Sequence, residues 1–168
     1  INAAEQYFSY LEDSAANISI VPGDGRLSLA KELARQKQQG IELKLFDVLV
    51  IDAFSGDSIP QHLLTLEAMA LYWQHLADDG VIAVHISNSH LNLLPLMQGI
   101  ASSTEKSMRY FNTKAQSQHG HDTEWVWLSN NQALLNSGVA KVYQSEIPAI
   151  KKELVWTDDF SHILSLLK

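Results

Sequence analysis

Cysteine does not occur in the 168 residues of this chain. Disulfides, thiolate nucleophiles and cysteine-based zinc sites are thereby excluded, and the composition suits a reducing compartment. Also missing is any run of about 18 apolar residues, the length a membrane-spanning helix needs. Positive charge is scarce: 12 Lys and Arg stand against 19 Asp and Glu, for a formal net charge of −7. Nucleic-acid binding rests on clustered Lys and Arg, so a phosphate-backbone partner is not expected. A cationic amine is compatible with the same balance, because an acidic pocket attracts it by Coulomb steering. The Gly-x-Ser-x-Gly elbow, the Walker loop and the Gly-x-Gly-x-x-Gly fingerprint are all absent. The first residue is Ile1 and no signal peptide is visible, so the chain reads as a piece of a longer protein.

What is present is a globular composition. Hydrophobic residues make up 46% and charged residues 18%, which separates the chain from disordered sequences. Four Trp, five Tyr and five Phe supply packing volume. The length suffices for one domain with its own core. With no internal repeat, low-complexity tract or linker, residues 1–168 read as a single domain.

Hydrophobic periodicity predicts the elements. Helical spacing runs from about Ala3 to Leu11. Asn17 to Val21 is a β-branched strand, broken by Pro22-Gly23-Asp24-Gly25. A helix follows over Leu27 to Gln38, closed by Gly40. Leu43 to Phe54 is the strongest strand, and its centre Phe46-Asp47-Val48-Leu49-Val50-Ile51 is nearly continuous apolar sequence, as in a strand buried on both faces. After a loop through Pro60 comes a helix over Leu64 to Leu76, with Thr65 and Glu67 in its first turn and Asp78-Asp79-Gly80 as its stop. Val81 to Ile86 is a second buried strand, and Leu91 to Ser103 a helix. Met108 to Asn112 and Glu124 to Ser129 are two strands close together. A short helix covers Ile163 to Leu167. Strand–helix alternation means an α/β fold with a mostly parallel sheet between helices, and the last two strands form an antiparallel hairpin at its edge.

Ligands of open α/β sheets bind at the carboxyl ends of the strands. That rule selects Gly23-Asp24-Gly25, Asp52 through Pro60, and His85 through His90, and it predicts that Asp24, Asp52 and Asp57 share one cleft. Glycines let a ligand approach the backbone, and the Asp24 carboxylate can accept from an amine or hydroxyl. Alternatively Asp24 only caps the helix that follows. Asp52 ends a buried strand, where a lone buried charge is costly. With Asp57 it can bind a cationic amine and take its proton; the alternative is a loop cap and a solvated acid. His85, Asn88 and His90 lack the convergent ligands of a metal site, and His119, His121 and Asp122 lack a further ligand in register. His62 and His75 read as surface or packing residues, Trp125 and Trp127 as packing.

Certain blocks of sequence resemble a known family. Gly23-Asp24-Gly25-Arg26 ahead of a helix, Phe46 through Pro60 with its Asp52-Ala53-Phe54-Ser55-Gly56-Asp57 core, and His62-Leu63-Leu64-Thr65 with Glu67-Ala68 look like the spermidine synthase-like (polyamine aminopropyltransferase-like) group. So do His85-Ile86-Ser87-Asn88 and the closing Trp156-Thr157-Asp158-Asp159. The match runs from about Tyr7 to the C-terminus and is most similar to the branch fused behind a membrane segment.

The resemblance implies a methyltransferase-like Rossmann fold whose first βα unit, with its glycine-rich loop, is missing here. It implies a transferase of polyamine biosynthesis that moves an aminopropyl group from decarboxylated S-adenosylmethionine to a small-molecule amine, without a metal. Asp24 would hold the adenine amino group, with Gly23, Gly25, Asp52 and Ala53 around the cofactor. Asp52 would deprotonate the attacking amine, and Asp57 would help hold it. Where the family carries a glutamate-containing segment, this chain reads His85-Ile86-Ser87-Asn88. Two other readings stay open: an S-adenosylmethionine-dependent methyltransferase, and a non-catalytic domain of a membrane-fused protein. Asp52 and Asp57 would repel the carboxylate of S-adenosylmethionine, which favours the decarboxylated form. The expected setting is cytoplasmic, either free or as the cytoplasmic domain of a membrane protein, with no membrane contact by this segment and a homodimer as one open assembly. The full-length parent is expected to be an enzyme, and this piece alone to be inactive.

Overall fold

The computed structural model describes residues 6–52, 60–115 and 120–168. They fall into two compact units, residues 1–41 and 42–168, each taken by itself below.

The first unit is organised by one helix, α1 (Gly25–Gln39). Asp24 starts it: the extended Asp24 backbone turns its carboxylate onto the Leu27 N–H at 2.8 Å. Gly40 ends it in the left-handed region at φ 64°, with its N–H on the Gln36 carbonyl. That geometry is the common glycine C-cap. None of the α1 residues is buried. Caps therefore delimit this helix. Residues 6 and 7 are helical and 10–12 form a turn, so the expected first helix is short among the described residues. The expected strand Asn17–Val21 joins no ladder there. Its alternation is real, but Ile18, Ile20 and Val21 are all exposed.

The second unit is a sheet with helices. Its elements are β1 (Phe46–Ile51), α2 (Leu66–Trp73), β2 (Leu76–His85), α3 (Leu94–Ser103), β3 (Ser107–Thr113) and β4 (Thr123–Ser129). Two short helices follow, α4 (Gln132–Leu135) and α5 (Gly138–Tyr143), with 3₁₀ turns at Gln61–Leu63 and Ile163–Leu166. The strand order is β1-β2-β4-β3. The β1–β2 pair is parallel, whereas β2–β4 and β3–β4 are antiparallel. The sheet is thus mixed: the expected hairpin is present, and among the described residues the parallel portion is confined to β1–β2.

Burial separates the two parallel strands. Central β2 has neighbours on both sides, and Val81 through Val84 are buried, as its continuous apolar run requires. β1 has one neighbour, and Val48 and Val50 are more than half exposed. The expectation that β1 is buried on both faces therefore fails on one of them: Val48 and Val50, two residues apart, share the exposed face, while Ile51 on the other face is buried. The Asp78-Asp79-Gly80 stop becomes part of β2. Phe46 pairs with Leu76 and Val48 with Val81, so β2 bulges outward opposite Asp47. Ser129 Oγ donates to the Gly80 carbonyl at 2.8 Å and Asn131 Nδ2 to that of Asp79 at 3.0 Å, which satisfies the bulge.

The helices follow their sequence signals. Thr65 caps α2 through the Ala68 N–H, and its hydroxyl donates to Asp158 Oδ1 at 2.8 Å. The Asp158 N–H in turn donates to Glu67 at 3.0 Å. That exchange ties the Trp156-Thr157-Asp158-Asp159 block to the start of α2, with Trp156 itself 1% exposed. α3 carries Leu96, Met97 and Ile100, all fully buried. It passes so close to the C-terminal segment that a Cβ on Gly99 would sit 2.0 Å from the Leu154 carbonyl oxygen. No helix among the described residues is long and apolar enough to cross a membrane.

Candidate functional site

The parallel register creates the corner of interest. Ile51 pairs with Val84, so the next residues, Asp52 and His85, emerge side by side at the carboxyl ends of β1 and β2. His85 Nδ1 lies 2.8 Å from Asp52 Oδ1. On the other side of the ring, Nε2 lies 2.7 Å from Ser87 Oγ. Ser87 Oγ also accepts the Glu124 N–H at 2.7 Å. His85 and Trp125 are cross-strand partners on β2 and β4, and their rings stack at 4.7 Å with 24° between planes. The imidazole is therefore held at both nitrogens and on one face.

The His85 side chain is 22% exposed and that of Asp52 is 55% exposed. Asp52 is thus no buried lone charge, as its place after an apolar strand suggested. The outer position of β1 leaves it open to solvent, and an imidazole partners it. Among the described residues its second carboxylate oxygen makes no hydrogen bond.

Next to Ser87 lies a polar cleft of about 490 Å³, lined by Asn88, Ser89, Asn112, Asp122 and Glu124 among others. Tyr110 is 3% exposed, and its hydroxyl donates to Glu124 Oε1 while accepting from Asn112 Nδ2. Burial, followed by the Glu124 hydrogen bond, pushes the Tyr110 phenol up to about 12. Lys114 Nζ donates to Asp122 Oδ2 at 2.6 Å, and the Ala115 N–H donates to Oδ1 at 2.9 Å. The Lys114 and Ala115 hydrogen bonds hold the Asp122 carboxyl below the usual range, and the Asp122 hydrogen bond raises the Lys114 amine. Asp122 is therefore engaged, and no group of three or more His, Asp or Glu able to hold a metal ion occurs among the described residues.

The sequence-selected residues fare differently. Asp24 lies in the first unit and caps α1 with Oδ1. Gly23 has φ 130°, a backbone that side chains rarely tolerate, and a Cβ on Gly25 would meet no atom within 4 Å. Asp52 lies in the second unit, paired with His85. Ala53, Asp57 and His119 lie outside the described residues. His75 is fully buried and its ring stacks on Phe46, which makes it a packing residue. Sequence reasoning placed His85 at a ligand-binding strand end and weighed it as a metal ligand, but missed its pairing with Asp52. The signal existed: two apolar runs paired in parallel bring the polar residues at their carboxyl ends together.

Among the described residues the sheet is mixed, carries helices, and has an antiparallel hairpin at its edge. The fold is similar to that of solved spermidine synthases. The spermidine synthase of Thermotoga maritima superposes with a TM-score of 0.55 at 16% identity, covering 94% of this chain and 50% of that one. A spermidine synthase in complex with the transition-state analogue AdoDATO gives 0.53 at 15%, covering 94% and 49%. In sequence, 82 residues are 33% identical to the polyamine aminopropyltransferase of Vibrio vulnificus (strain CMCP6), covering 49% of this chain and 24% of that protein. The chain thus spans about a quarter of the curated relative and half of the solved structures. No family model matches the chain.

Proposed function

We propose that this chain is part of an aminopropyltransferase-like enzyme that moves an aminopropyl group from decarboxylated S-adenosylmethionine to a small-molecule amine. The observation that carries the reading is Asp52: a carboxylate at the carboxyl end of a parallel strand, one oxygen held by His85 and the other turned to no partner among the described residues. Strand ends of this kind are where open α/β sheets bind ligands. The 33% identity to a polyamine aminopropyltransferase supports the same chemistry.

An aliphatic amine with a pKa near 10 is an ammonium at neutral pH and has no lone pair to offer. In the proposed reaction Asp52 takes the amine's proton. The nitrogen lone pair then forms a bond to the aminopropyl carbon beside the sulfonium. The carbon–sulfur bond breaks with its electron pair going to sulfur, and methylthioadenosine leaves. Asp24 reads the adenine amino group, with Gly23 and Gly25 allowing close backbone approach and Asp52 and Ala53 completing the cofactor contacts. Asp57 helps hold the amine.

The test uses the whole protein that carries this chain, incubated with decarboxylated S-adenosylmethionine and a diamine. The reading expects an amine product one aminopropyl unit heavier, with methylthioadenosine in equal amount. Methylated product from S-adenosylmethionine would make it a methyltransferase. Turnover of neither would make the domain non-catalytic.

A further inference from the structure

We propose that His85 is the positioning residue for the Asp52 carboxylate, with its tautomer set by Ser87; as a role in turnover this rests on the reading of Asp52 as proton acceptor. The argument starts from donors and acceptors. An ionised carboxylate only accepts, so a 2.8 Å contact between Asp52 Oδ1 and His85 Nδ1 requires a proton on Nδ1. The opposite nitrogen must then be bare and accepting, or protonated in an imidazolium. Ser87 serves both cases, because its hydroxyl has a proton to give to Nε2 and a second lone pair to receive one. Its first lone pair is taken by the backbone N–H of Glu124, which pins Oγ to a strand and fixes the far end of the ring at 2.7 Å. The Trp125 stack supplies the third restraint by blocking one face of the imidazole.

Three contacts from three places therefore aim one N–H. Among the described residues the ring meets Asp52 beyond β1, Ser87 beyond β2 and Trp125 on β4, with the Glu124 N–H behind Ser87. Asp52 is more than half exposed and would rotate freely about its side-chain bonds without this contact. With Oδ1 held, Oδ2 keeps one direction for an incoming amine. Misplacing a reacting group by about 1 Å costs on the order of 10²-fold in rate, which sets the scale for a positioning residue.

The experiment joins a spectroscopic and a kinetic readout on the whole protein. Nitrogen-15 labelling of histidine, with His85→Ala to assign the signal, reports which ring nitrogen carries the proton. The expected result is a slowly exchanging Nδ1–H that disappears in Asp52→Ala. A neutral ring protonated on Nε2 in the unsubstituted protein overturns the proposal. In turnover, His85→Ala is expected to lose about 10²-fold in kcat, the scale of a mispositioned group, with adenosyl-ligand affinity nearly intact. His85→Asn places an amide N–H near the former Nδ1–H and should restore most of the loss, whereas His85→Gln, which mimics Nε2, should not. Equal loss in Asn, Gln and Ala variants would reduce His85 to a packing residue and end the proposal. If the unsubstituted protein transfers no aminopropyl group, the reading of Asp52 as base falls. The ring tautomer and its dependence on Asp52 still decide whether His85 holds that carboxylate.

Discussion

Asp24 and Asp52 look alike in sequence, each following an extended apolar segment and preceding a turn, and the structure treats them differently. Asp24 closes on a backbone N–H three residues ahead. Asp52 closes on a side chain 33 residues away, brought alongside by strand register. The first contact needs only a local turn. The second needs β1, β2 and β4 all in place, since Ser87, Glu124 and Trp125 complete it. A carboxylate that closes locally has a structural duty whatever else it does. One held by an imidazole across two strands has a direction imposed by the tertiary fold, and such directed groups are what proton transfer requires.

The largest expected effect probes the second corner. In the whole protein, Asp52→Asn keeps size and a hydrogen-bond acceptor but cannot take a proton, so turnover with an amine acceptor should fall by about 10²- to 10⁴-fold. Adenosyl-ligand affinity, followed by calorimetry, should barely change. Full activity in this variant would make the two aspartates equivalent after all, both serving only as turn acceptors.

Next comes the packing of α3 against the C-terminal segment. Gly99→Ala drives a methyl against the Leu154 carbonyl, and overpacking of this kind costs about 1–3 kcal/mol or more. Urea unfolding should register the loss. Because backbone and not a flexible side chain blocks the methyl, a variant of unchanged midpoint would mean that α3 and the C-terminal segment shift apart readily.

A pH effect of intermediate size follows from Tyr110. Its folded-state value of about 12 lies above the ordinary 10.0. Between those values the unfolded chain has released the phenolic proton and the native one retains it, so the Tyr110 contribution to stability declines as pH rises from about 10 to about 12. Comparing unfolding midpoints at pH 9 and 11.5 should show a steeper decline in the unsubstituted protein than in Tyr110→Phe. Parallel declines would mean that burial and Glu124 do not perturb the phenol.

The smallest effect belongs to the first aspartate. Asp24→Ala should cost about 1 kcal/mol of local helix stability, the usual value of an N-cap, and speed hydrogen exchange at the Leu27 amide. Asp24→Asn should leave both nearly unchanged, because Asn caps about as well. A loss of adenosyl-ligand affinity in the Asn variant would then be a binding effect free of folding, and would give Asp24 a second role beside the cap.

Much of the architecture was legible because it depends on near neighbours. Thr65 and Asp24 cap where their side chains reach the next turn's amides, and Gly40 ends α1 where a left-handed residue is needed. The continuous apolar run of β2 and the hairpin of β3 and β4 read directly from periodicity. The short helices α4 and α5 were passed over, although Asn131 and Ser137 cap them by the same local rule.

What the amino-acid order determined by itself was most of the strands and helices, several of their caps and the acid that ends β1, because contacts between residues three or four apart do not depend on the rest of the chain. The tertiary structure alone decided three things. Among the described residues it put β1 at the rim of the second unit's sheet, with Val48 and Val50 exposed, since sheet neighbours are not written in a strand's own pattern. It made Asp78 to Gly80 a bulge stitched by Ser129 and Asn131 from about 50 residues away. And it joined Asp52, His85, Ser87 and the Glu124 amide, because in-register parallel pairing and an antiparallel third strand bring polar residues from three segments to one point that no local spacing encodes.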